Sequence, residues 1–103
     1  RRLFVFEDIA KLSAQAIQRV LREVENNDLA LALKNANEEV SNAIFGNLSK
    51  RVQEMIADDM SVMGPVRVRD VEEVQQRIVN IVRQLEDAGE IIVSRGEGDD
   101  FLV

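Results

Sequence analysis

Residues Ser49–Arg67 read SKRVQEMIADDMSVMGPVR, and the rest of the chain is organised around where their charges fall. Ser49–Met63 predicts one helix. Gly64-Pro65 then stops it, because glycine suits a helix C-terminus and proline cannot continue the hydrogen-bond ladder. At about 100° per residue, with Val52 at zero, Leu48, Met55, Ile56, Met60 and Met63 lie within about 80° of Val52. They form one apolar stripe. Arg51 and Asp58 share one edge of it. Asp59 falls at roughly −20°, inside the stripe.

The chain has 103 residues, enough for one small domain with a single core. Apolar residues make up 46%, so it can fold; charged residues make up 31%, so its surface is well solvated. No apolar run is long enough to span a membrane. No signal-peptide pattern or initiator Met opens the chain, so it reads as the C-terminal piece of something longer.

Cys and His are absent, which removes disulfides, thiolate and imidazole chemistry and most zinc sites. A net charge of −6 argues against phosphate binding as the main role, so no nucleic-acid partner is expected. With no Trp or Tyr, base-stacking platforms are also scarce.

Leu3-Phe4-Val5-Phe6 shows no partner strand nearby and reads as an extended connector, its two Phe rings anchored on the core. Glu7–Lys11 reads as a helical turn. Ser13 is a candidate N-cap for a helix to Val24, with Ala16, Ile17, Val20, Leu21 and Val24 at helical spacing. Asn26-Asn27-Asp28 is expected to break the chain and cap a helix over Asp28–Lys34, with Lys34 complementing the dipole at its end. Asn35 and Glu38 have capping-box spacing before a helix carrying Val40, Ala43, Ile44 and Leu48, closed by Gly46-Asn47. Val66-Arg67-Val68 reads as an extended link. Asp70–Ala88 is the clearest helix, with Val71, Val74, Ile78, Ile81, Val82 and Leu85 in register. Glu90–Ser94 is expected as a strand or an extended segment laid on the core. A turn over Arg95–Asp100 and a terminal hairpin of Ile91–Val93 with Phe101–Val103 complete the reading. The expectation is an all-α domain: a compact irregular bundle or superhelix of about six helices, with extended segments at both ends.

Asp58 and Asp59 invite an acid–base reading, but adjacent helix residues point about 100° apart. No His, Cys, phosphate loop or metal spacing supports them, so neither an enzyme nor a cofactor is expected. Arg51 and Asp58 lie too far apart along the axis to pair well with each other. They read either as an ordinary solvated face or as charges left for an outside partner. A carboxylate on an apolar face is costly unless paired. Asp59 is therefore expected to brace the Gly64-Pro65 corner through Arg67, or to cap a neighbouring helix. The corner itself is either a plain turn or a pivot, and spacing does not separate the two.

In combination, LFVFEDI, AIQRVLREV, DLALALK, NLSKR…ADD, GPVR and DVEEVQQRIVNIVRQLEDAGE closely resemble the C-terminal domain of the flagellar motor switch protein family FliG, over essentially the whole chain. The resemblance implies a hinge segment over residues 1–6, where Leu3 replaces the first Met of a Met-Phe-X-Phe pattern, and a six-helix torque domain over residues 7–103. It implies a rotor component of the motor's C ring, at the cytoplasmic face of the inner membrane without inserting into it, with a role in motility, chemotaxis and switching. The implied partners are the cytoplasmic loop of the stator subunit (MotA or its sodium-driven equivalent), the ring protein FliM and neighbouring FliG copies. The family's torque positions fall on Lys34, Arg51, Asp58, Asp59 and Arg67, and all keep the expected charge. The competing expectation is a generic helical adaptor that binds a partner helix through an apolar groove.

Overall fold

The computed structural model describes residues 2–93 and 101–102. Strand β1 (Arg2–Leu3) leads into a 3₁₀ helix (Phe6–Lys11). Five α-helices follow: α1 (Ala14–Leu21), α2 (Asn26–Leu33), α3 (Glu38–Phe45), α4 (Lys50–Met63) and α5 (Val68–Asp87). Strand β2 (Phe101–Leu102) comes last. The fold is all-α, with six helical segments among the described residues. Among the described residues the one sheet is the two-residue parallel pairing of β1 with β2, in the register Arg2 to Phe101 and Leu3 to Leu102. That pairing replaces the expected hairpin with Ile91–Val93 and supplies β1 with the partner that local sequence did not reveal. The expected turn at Arg95–Asp100, and Val103, lie outside the described residues.

Helix α2 explains the packing. Its sequence NNDLALAL is apolar on most sides, which suits a helix enclosed by others rather than one lying on a surface. Leu29, Ala30, Ala32 and Leu33 are all buried, and α2 packs against both α4 and α5. The small Ala30 and Ala32 allow neighbours to approach closely. The Gln75 side chain of α5 donates to the Ala32 carbonyl at 2.9 Å, fixing α5 against α2. From α5, Val74, Ile78, Val79, Val82 and Leu85 enter the same core. Phe4 and Phe6 are buried in it too, so the expected anchoring of the two rings holds. Ile91 and Val93 lie buried on the core, in neither helix nor strand.

Helix boundaries follow the side chains that reach orphan amides. Ser13 Oγ accepts from the Ala16 N–H at 3.1 Å, as expected, although α1 ends at Leu21 rather than Val24. The cap of α3 is Asn37, not Asn35. Its Oδ1 accepts from the Val40 N–H at 2.8 Å, which places Glu38 and Glu39 in the first turn where the dipole favours them. Asn26 and Asn27 lie inside α2 rather than before it, and α5 starts at Val68, the last residue of the expected Val66–Val68 link, rather than at Asp70. Asp8 is buried, and its Oδ2 accepts from the Val5 N–H at 2.9 Å, closing the start of the 3₁₀ helix.

Gly64 ends α4 with φ 67° and ψ −161°, a conformation open essentially to glycine alone. A Cβ there would meet no atom within 4 Å, so the constraint is the backbone itself and not crowding. Gly64→Ala is therefore expected to cost about 1–3 kcal/mol, with the urea midpoint reduced and the m-value unchanged in equilibrium unfolding.

Candidate functional site: the charged face of helix α4

Helix α4 begins at Ser49, whose Oγ accepts from the Val52 N–H at 3.2 Å. One turn in, Gln53 Nε2 donates to the Phe45 carbonyl at 2.9 Å and to the Leu48 carbonyl at 3.0 Å. Phe45 is the last residue of α3, where carbonyls lack helical partners. Gln53 thus ties the start of α4 to the end of α3. It was not singled out in the sequence; its only signal there is a polar residue at the margin of an apolar stripe.

The buried line of α4 is narrower than the stripe and rotated from it. Ile56 is its one fully buried side chain, while Val52, Gln53, Met60 and Met63 are half-buried. With Val52 at zero, these fall between about 0° and 100°, the arc facing α2. Met55 and Val62, at roughly −60° and −80°, stay exposed at 42% and 82%. Helix α4 therefore lies at the periphery, with most of its circumference in water.

This rotation decides the fate of the charges. Arg51 and Asp58 are exposed on the outer side, at about −100° and −120°. Neither has an ion-pair partner among the described residues; the Asp58 backbone carbonyl accepts from Ser61 Oγ. Asp59 lies on the shoulder between the buried arc and the outer face and is half-buried. The expected brace to Arg67 is not formed, and Asp59 caps no helix among the described residues. A carboxylate at the edge of the buried arc keeps enough water to stay solvated, so no partner is required.

Lys34 is the C-cap residue of α2. Its Nζ approaches the Met60 carbonyl at 3.5 Å, within the last turn of α4. Helix α4 has no basic residue in its own last turn, and the Lys34 ammonium supplies the positive charge there. Arg67 is exposed at the N-cap of α5, beyond the Gly64-Pro65 corner. It lines a 450 Å³ groove with Leu31, Met63, Pro65 and Asp70. The fold thus gathers Arg51, Asp58 and Asp59 on one helix, ties Lys34 to that helix's end, and sets Arg67 just past its corner.

Among the described residues no cluster of three or more acidic side chains is arranged to hold a metal ion, and no helix is long and apolar enough to cross a membrane. A groove of 590 Å³ between α1 and the start of α4 is lined by Gln15, Gln18, Arg19, Arg22 and Asn47 beside Leu21, Leu48 and Val52. That mixed lining lacks the continuous apolar seat an adaptor groove needs.

Residues 1–93 match the family described as the FliG C-terminal domain. The chain is similar to the flagellar motor switch protein FliG of Bacillus subtilis, at 58% identity over the whole of this chain and 30% of that protein. It is 55% identical to the same-named protein of Thermotoga maritima, again over the whole chain and 31% of the relative. The chain thus spans about a third of the length of these relatives. A crystal structure of a FliG segment from H. pylori superposes with a TM-score of 0.85 at 35% identity, covering 88% of this chain and 40% of that one. Full-length FliG from Aquifex aeolicus superposes at 0.80 with 40% identity, over 84% and 27% of the two chains.

With Asp59 solvated and unpaired, Asp59→Ala is expected to leave the thermal midpoint within about 2 °C of the parent, less than a 1 kcal/mol change produces in a domain of this size. A clear drop in calorimetry would restore the bracing role.

Proposed function

The chain belongs to the FliG C-terminal domain family, and we propose that it is the stator-facing module of a flagellar motor switch rotor, with α4 as its contact helix. The single observation that carries this reading is the state of Arg51 and Asp58. They have opposite charges, both are exposed on one outer arc, and neither is engaged within the described fold. Such charges steer and orient an encounter without binding tightly, which suits a contact made and released at every step. Lys34, Asp59 and Arg67 complete the set, with Lys34 also holding the end of α4. The partner is the cytoplasmic loop of the stator subunit. FliM and neighbouring FliG copies are the ring partners. The module works in the cytoplasm beneath the inner membrane, and its task is mechanical rather than catalytic.

Residues 1–6 serve as the hinge to the rest of the rotor and 7–103 as the torque domain. Switching reorients α4 about the Leu3–Phe6 hinge, a segment that here has both Phe rings in the core and Leu3 paired with Leu102. Such a rotation reverses the direction in which the α4 charges run past the stator.

In a motile bacterium lacking its own copy, the double reversal Arg51→Asp, Asp58→Arg is expected to leave filaments assembled and rotation abolished or slow, scored by swimming and by filament staining. Single neutralisations are expected to slow swimming only partly, since the interaction is spread over several charges. Full swimming of the double reversal would exclude the charge contact.

A further inference from the structure

The charges of α4 do not stand alone on its outer face. Met55 and Val62 are among the few large apolar side chains the fold leaves exposed, and both fall within about 60° of Arg51 and Asp58 around the helix. Along the axis the order is Arg51, Met55, Asp58, Val62, with steps of about 4.5–6 Å. Charge and apolar side chain alternate along a single line. The core does not demand this. Met55 and Val62 lie outside the buried arc centred on Ile56, and polar residues there would leave the packing on α2 untouched.

We infer that this line is a composite docking ridge, in which Met55 and Val62 provide apolar seats flanking the Asp58 contact. This deepens the proposed stator contact and rests on it. The complementary partner is a helical segment with an acidic side chain opposite Arg51 and a basic one opposite Asp58, about 10 Å apart, and aliphatic side chains between and beyond them. Apolar contact at these points excludes water from the charge pairs, which are then worth more than fully solvated ones. It also adds an attraction that salt does not screen. A second copy run antiparallel would match Arg51 to Asp58 as well. A stable dimer, however, buries about 800 Å² per partner, and two exposed apolar side chains on a 14-residue helix fall far short of that.

The test introduces Met55→Gln and Val62→Thr together into the protein that carries this chain, in the same motile strain. Stall torque is read from tethered cells, beside the Arg51→Asp, Asp58→Arg double reversal. The expected result is normal filaments, an unchanged melting temperature of the purified chain, and stall torque lowered at least about two-fold. Unchanged torque in the polar variant, with rotation stopped by the charge reversal, would overturn the ridge and leave the charge contact standing. Unchanged torque in both would overturn both readings. If the double variant unfolds more readily, Val62→Thr alone carries the test, because Val62 is the more exposed of the two. A concentration-dependent dimer in sedimentation, lost on Val62→Thr, would assign the face to a second copy and overturn the proposal.

Discussion

The structure depends on α2 being enclosed. A helix with Leu29, Ala30, Ala32 and Leu33 buried has to be covered on more than one side, and α4 and α5 both cover it. Fully burying a Leu side chain is worth about 1.5–3 kcal/mol, so neither neighbour can leave without exposing much of the core. The position of α4 is therefore set chiefly by a helix that carries only one of the candidate contact charges. That one, Lys34, sits at the seam, where its ammonium meets the last turn of α4.

Helix α4 is firmly placed yet shallowly buried. Ser49 and Gln53 fix its start, Gly64 ends it in a conformation few residues adopt, and Ile56 alone drives fully into the core. Firm placement with a wide solvated face is what a contact helix requires. Side chains on the outer arc stay hydrated and quick to exchange partners, while the backbone beneath them holds its direction. A more deeply buried α4 would have drawn Arg51 or Asp58 into internal pairs.

Much of this was legible in the order of residues. The helical spacing of α1 and α5, the Ser13 cap, the Gly64-Pro65 stop and the all-α class all follow from local rules, because local hydrogen bonds and the 3.6-residue period decide them. The misreadings share a cause. Asn35 and Asn37 are equally good caps by type, and only the path of the chain into α3 selects Asn37. Asn26 and Asn27 read as breakers but were taken into α2, because the burial of the residues that follow outweighs their weak helix propensity. The pairing of β1 with β2 joins opposite ends of the chain, and no local pattern announces it.

Sequence alone determined which side chains α4 carries, in what order and with what period, and it tied the chain to a family. It could not determine which arc of α4 turns inward, since the apolar stripe from Leu48 to Met63 is wider than the contact α2 offers. Only the packing of α2 chose the arc centred on Ile56. That choice moved Met55 and Val62 into water beside Arg51 and Asp58, and it left Asp59 on the shoulder, solvated and unbraced. The physical reason is that burial is a property of two surfaces, and a sequence pattern describes only one of them.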